Sequence, residues 1–133
     1  MINLKTHITK EDYIKLREDA NWHPLDDNQI DNIINNSEYI ISFYNDDEIA
    51  GMIRCISDKG YIYLMCDCIV MSKYQGMGLG KKIVNAMLEY IENNNKNKYV
   101  RVYIMSLKGK EEFYKSCGLS LDEATGLTKI FNE

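Results

Sequence analysis

Between Tyr61 and Ile104 the hydrophobic period of the chain switches twice, and few folds accept that pattern. Tyr61-Ile62-Tyr63-Leu64-Met65-Cys66-Asp67-Cys68-Ile69-Val70 is a β-rich run, apolar enough for a central strand covered on both faces. A turn spaced by Gly76, Gly78 and Gly80 follows. Ile83, Val84, Met87, Leu88 and Ile91 then recur at i, i+1, i+4, i+5 and i+8, the stripe of an amphipathic helix. The polar stretch Glu92 to Asn97 ends it, and Val100, Val102 and Ile104 alternate as the next strand. Strand, helix and strand in that order make a right-handed crossover unit, so the two strands are expected to be parallel neighbours.

The remaining segments must pack around this unit. Thr9 to Asp12 carries a helix N-terminal signal, with Tyr13, Leu16 and Ala20 at helical spacing, which predicts a helix over about 10–20. Asp26 or Asp27 caps a second helix carrying Ile30, Ile33 and Ile34 on one face, ending near Asn35-Asn36-Ser37. Tyr39 to Tyr44, the acidic turn Asn45-Asp46-Asp47-Glu48 and Ile49 to Ile56 read as a hairpin, and Asp58-Lys59-Gly60 turns into the Tyr61 strand. Three antiparallel strands in succession beside one parallel neighbour give a mixed sheet. Gly109 to Cys117 predicts a short last helix stopped by Gly118, and Leu127 to Phe131, after the turn Thr125-Gly126, predicts a terminal strand. At 133 residues with a single proline, no repeat and no linker, the chain is expected to be one α/β domain, residues 1–133.

The loop Val70-Met71-Ser72-Lys73-Tyr74-Gln75-Gly76-Met77-Gly78-Leu79-Gly80-Lys81-Lys82 lies between the strongest strand and the strongest helix. Its glycines permit a tight turn with unobstructed amides, and the helix N-terminus behind them adds partial positive charge, which suits a phosphate or pyrophosphate. A Walker-type loop would need glycine at position 75 and Ser or Thr at position 82, where Gln75 and Lys82 stand. A dinucleotide fingerprint would need G-x-G-x-x-G in a first βαβ unit, whereas this is G-x-G-x-G after several antiparallel strands. A plain glycine turn between strand and helix is the structural alternative.

Gln75-Gly76-Met77-Gly78-Leu79-Gly80 resembles the Q/R-x-x-G-x-G/A signature of the GCN5-related N-acetyltransferases, and the element order is similar to that family's from end to end. The resemblance implies a mixed, mostly antiparallel sheet flanked by helices and splayed between its two central parallel strands. It also implies acetyl-CoA as cosubstrate, with no metal. The amides of Gln75, Gly76, Met77, Gly78, Leu79, Gly80 and Lys81 would hold the pyrophosphate, Lys81 adding charge, and Cys68, Ile69 and Val70 would bond the pantetheine arm.

Phe113-Tyr114-Lys115-Ser116-Cys117-Gly118-Leu119 is similar to the family's F-Y-x-x-x-G-F element, with Leu119 in the last aromatic place. When an amine attacks a thioester, a nearby proton donor eases departure of the thiolate, and the resemblance assigns that role to Tyr114. Two positions depart from relatives: Leu107 stands where many carry an asparagine, and Val102 where some carry a glutamate base. Asp67, in an apolar strand beside the expected thioester site, is the remaining candidate to accept a proton, with a structural carboxylate as the alternative. Cys117 has no base placed to activate it, so direct attack in a ternary complex is expected, not a covalent intermediate.

The acceptor implied is a primary amine on a small molecule or peptide. Trp22 and His23 fall in a loop where relatives often roof the acceptor pocket. A net charge of -4 without clustered Lys and Arg argues against nucleic acid, and no apolar run is long enough to span a membrane. The start, Met1-Ile2-Asn3-Leu4-Lys5, has no signal-like pattern, and Cys55, Cys66, Cys68 and Cys117 lack metal-site spacing, so a cytoplasmic protein with reduced thiols is expected. An exposed strand edge makes a homodimer conceivable. The alternative from another class is a catalytically silent acyl-CoA-binding module; a domain without any ligand is a third.

Overall fold

The computed structural model describes residues 1–132, and its first helices begin where side chains take up free amides. Thr9 Oγ1 accepts from the Asp12 amide at 3.1 Å and opens α1 (Lys10–Asp19). Asp26 and Gln29 bond each other's amides at 2.8 and 3.0 Å and open α2 (Asp27–Asn36). One sheet holds β1 (Ile2–Lys5), β2 (Tyr39–Asn45), β3 (Glu48–Ser57), β4 (Ile62–Val70) and β5 (Arg101–Ile104), in that spatial order. Each of the first three strands pairs antiparallel with the next; α3 (Leu79–Asn93) carries the chain across to β5, which pairs parallel with β4. The short α4 (Glu111–Ser116) ends before Gly118, whose φ of +94° is open to glycine at little cost.

Packing against β3 separates the two sheet faces. A Cβ built on Gly51 would lie 2.6 Å from Ile83 Cδ1 and 2.9 Å from the Ile69 carbonyl oxygen, so α3 rests on this face at a distance that requires glycine. Arg54, three residues on, points to the other face, where its Nε meets Asp67 Oδ2 at 2.6 Å. Tyr13 of α1 reaches the same oxygen, so α1 covers this face while α3 covers the opposite one. The core fills both interfaces: Tyr13, Leu16 and Met52 are fully buried, as are Ile53, Ile83 and Met87.

β4 and β5 pair only from Ile62 opposite Arg101 to Met65 opposite Ile104. Beyond Met65, β4 continues to Val70 with no β5 beside it. On its other edge, Arg54 faces Cys66 and Met52 faces Ile69, so the single residue Ile53 opposes both Asp67 and Cys68. This is a β-bulge in β4, with Asp67 at φ +52°, a conformation aspartate tolerates better than most residues. The expected splay between the parallel strands therefore begins at the bulge.

Two features differ from the sequence expectation. β1 has no apolar alternation to announce it, because all four of its side chains are exposed and it forms an edge against β2. The terminal strand expected over Leu127–Phe131 does not form, and β5 remains the other edge of the sheet. Gly126 is pressed on Met105, where a Cβ would lie 2.4 Å from Cε, and beyond it Leu127, Ile130 and Phe131 are 93%, 66% and 74% exposed. Among the described residues, no helix is long and apolar enough to cross a membrane.

Candidate active site

The splay opens a cavity of about 560 Å³ between β4, the glycine loop and α4. Its loop end is built from backbone. Gly76 and Gly78 have φ of +81° and +77°, and a Cβ on either would meet nothing within 4 Å. Gly78 is the N-cap of α3 and offers no side chain, so the amides of the first turn keep their donors free of any capping group. Free amides, the positive end of a helix of 15 residues and the exposed Lys81 fit an anionic phosphate group such as the pyrophosphate of coenzyme A.

The loop is braced from three sides. Gln75 Nε2 donates to the Val70 carbonyl at 3.1 Å, tying the loop to the end of β4. Asp19 of α1 accepts from the Ser72 amide and hydroxyl at 2.8 and 3.0 Å. Tyr74 donates its hydroxyl to Glu48 and accepts from Asn45 Nδ2 at 3.1 Å. Below the loop, a Cβ on Gly80 would stand 3.3 Å from Phe113 Cζ, so the last glycine admits the aromatic ring of α4.

Tyr114 lines the cavity beside Phe113, their rings edge to face with centroids 5.0 Å apart. Its hydroxyl has no hydrogen-bond partner among the described residues. Burial raises its pKa from 10.0 to about 12, with Cys68 and Cys117 adding to the shift, so the phenol holds its proton at neutral pH. The Cys68 thiol is likewise pushed up to about 11 by burial, which keeps it protonated and unreactive.

Asp67 also lines the cavity, and its carboxylate is tied into a side-chain network. Its Oδ2 accepts from the Tyr13 hydroxyl at 2.5 Å and from Arg54 Nε at 2.6 Å. Burial works against the Arg54 charge, yet the adjacent carboxylate outweighs it and holds the guanidinium above its ordinary value. Burial, and then the bond to Asp67, raises the Tyr13 phenol to about 12. Arg17 extends the network: it donates to the Tyr13 hydroxyl at 3.4 Å and to the His23 carbonyl at 2.7 Å, and stacks over Trp22 at 5.4 Å.

Asp67, Tyr114, Cys68, Val70, Gln75, Gly76, Gly78, Leu79, Gly80 and Lys81 all face this cavity. Ile69 and Met77 do not: Ile69 is 3% exposed within the core, and the Met77 side chain is 60% exposed outside the cavity. Trp22 lines it, whereas His23 contributes only its carbonyl to Arg17. Leu107, in the place of the usual asparagine, lines it too, and Val102 does not. Lys110, Tyr13 and Arg54 were not foreseen. Lys110 carried no motif, and the other two reach Asp67 across 54 and 13 positions of sequence.

The fold agrees with that of known proteins. A probable acetyltransferase from meticillin-resistant Staphylococcus aureus has a similar structure, with a TM-score of 0.87 at 25% identity over 98% of this chain and 100% of its own. Glucosamine-6-phosphate N-acetyltransferase from Arabidopsis thaliana shares the fold, with a TM-score of 0.78 at 18% identity over 99% of both chains. In sequence, the chloroplastic GCN5-related N-acetyltransferase 3 of Arabidopsis thaliana is 26% identical over 86 residues, which are 65% of this chain and 35% of that protein. The chain thus matches about a third of that relative's length. The acetyltransferase (GNAT) domain model matches residues 7–127, nearly the whole length, and this chain belongs to that family.

Proposed function

We propose that this chain transfers the acetyl group of acetyl-CoA to a primary amine on a small molecule or peptide, by direct attack in a ternary complex. The observation that carries this reading is one cavity, opened by the β4 splay, with free helix-start amides at one end and the Tyr114 hydroxyl in its wall. Acetyl-CoA supplies an activated thioester. The loop amides from Gln75 to Lys81 hold its phosphates, and backbone donors near Ile69 and Val70 stabilise the charge that develops on the carbonyl oxygen. As the amine nitrogen bonds the carbonyl carbon and the carbon–sulfur bond breaks, Tyr114 gives its proton to the departing sulfur.

The amine enters unprotonated and loses its second proton to water. With Oδ2 held by Tyr13 and Arg54, Asp67 acts by fixing the shape and charge of the acceptor side. Asp67→Asn is then expected to raise KM for the amine while leaving the acid limb of the kcat profile in place; a displaced acid limb would make Asp67 the base. A cytoplasmic setting suits the four free thiols.

Melting with and without acetyl-CoA tests the first half of the proposal. At about 100 times Kd, ligand linkage predicts a gain of about 2.7 kcal/mol, or a rise of roughly 8 °C. Gly78→Val fills the open space beside the loop and is expected to abolish the rise. No rise with the native protein removes the cofactor site from the proposal. A rise without turnover across a panel of amines identifies a silent acyl-CoA-binding module instead.

A further inference from the structure

The wall of the cavity opened by the splay constrains the amine that the proposed transfer would use. Outside the glycine loop it is mostly apolar, formed by Trp22, Leu64, Met65, Ile104, Met105 and Leu107. Charge is sparse there. Among the described residues that line the cavity, Asp67 is the one carboxylate, against the two lysines Lys81 and Lys110. Arg54 Nε stands 2.6 Å from Asp67 Oδ2 and already neutralises that carboxylate. A second ammonium group would therefore find no unspent negative charge, and a desolvated cation without a partner is costly.

Trp22 is set to receive an apolar body. Its amide donates to the Arg17 carbonyl at 3.0 Å, just beyond the end of α1, and the Arg17 guanidinium lies over its ring at 5.4 Å. Arg17 is in turn held by the His23 carbonyl at 2.7 Å. The indole is thus braced from within the protein, yet it lines the cavity and stays 37% exposed. An aromatic ring held in this way offers a large apolar area at little further cost in entropy. The polar capacity beside it is small: the bonds from Tyr13 and Arg54 both fall on Asp67 Oδ2, which leaves Oδ1 to accept an N–H. A polyhydroxylated amine would bury hydroxyls against this wall without partners.

We propose that the acceptor is a primary amine with one charged nitrogen on an apolar, aromatic body, seated against Trp22 with its N–H on Asp67 Oδ1, and that polyamines and amino sugars are disfavoured. The inference rests on the reading of this cavity as the site of acetyl transfer to an amine. The same apolar wall favours the uncharged form of the amine, which is the form that attacks.

Trp22 is the chain's single tryptophan, so its emission reports occupancy of the cavity directly. Titrations with phenylethylamine, diaminopentane and glucosamine in the presence of coenzyme A are expected to saturate with phenylethylamine at a concentration about tenfold or more below the other two. Equal or tighter binding of diaminopentane or glucosamine overturns the proposal, as does an emission that phenylethylamine does not move. Met105→Glu and Leu107→Asp each add an uncompensated carboxylate at a position 68% or 74% exposed, where the fold has little to lose. At least one is expected to shift the preference toward diaminopentane by about tenfold, and an unchanged preference in both overturns the proposal. Assays with acetyl-CoA keep the two readings apart. Phenylethylamine bound with this preference but never acetylated removes the transfer and leaves the selectivity, whereas faster acetylation of diaminopentane or glucosamine removes the selectivity and leaves the transfer.

Discussion

Tyr114 stands on a helix of six residues with its hydroxyl uncommitted, and burial holds its proton up to a pH of about 12. Tyr114→Phe removes the donor and keeps the ring, so kcat is expected to fall by about 10²- to 10³-fold while KM for acetyl-CoA stays near its native value. The direction of the shift also fixes a pH expectation. A raised phenol pKa extends the acid form to higher pH, so native kcat should show no alkaline loss near 10.0, where an ordinary tyrosine ionises. A decline centred there would assign the proton to another group. The place of Tyr114 in the cavity wall was legible because Phe113 and Gly118 frame it at short, fixed spacing. The partners of Asp67 were not, since Tyr13 and Arg54 meet it only through the packing of α1 on β3 and β4.

Among the elements, β4 does two incompatible things, and the bulge at Asp67 and Cys68 is where it changes between them. Up to Met65 it is an interior strand paired on both edges; beyond the bulge it is one wall of a cavity. The seat of α3 against β3 keeps the neighbouring strand in register, and Gly51 makes that seat possible. Gly51→Ala would place a Cβ 2.6 Å from Ile83 Cδ1 and 2.9 Å from the Ile69 carbonyl, of which only the side chain can yield. The expected loss is about 1–3 kcal/mol in urea unfolding, with an unchanged denaturant slope. Native stability in that variant would mean that α3 shifts freely on the sheet. The elements that bury an apolar face, β2 to β4 and α1 to α3, were legible in the sequence for that reason. β1 was not, because Ile2 and Leu4 are exposed on an edge whose pairing depends on β2 alone. The tail has the composition of a strand, yet residues 127–131 pair with no strand among the described residues.

At the scale of the whole molecule, the network around Asp67 joins layers that otherwise meet through apolar contact. Arg54 brings β3, Asp67 brings β4, Tyr13 brings α1, and Ser37, just past α2, accepts from the far end of the Arg54 guanidinium at 3.3 Å. The charged pair is largely desolvated, with side chains 13% and 11% exposed. Removing one member strands the charge of the other, whereas removing both leaves none to strand. Arg54→Met alone is expected to cost about 3–5 kcal/mol, and the double variant Arg54→Met with Asp67→Leu less than the sum of the two single losses by about 1–3 kcal/mol. Additive losses in thermal or urea unfolding would show that the layers hold without the pair. Since Asp67 sits both in this network and in the cavity wall, a real coupling makes the proposed acceptor side of the site as rigid as the contact between helices and sheet. Variants that loosen that contact should then raise KM for the amine before they affect acetyl-CoA, whose proposed loop is fastened separately through Asp19, Glu48 and Asn45.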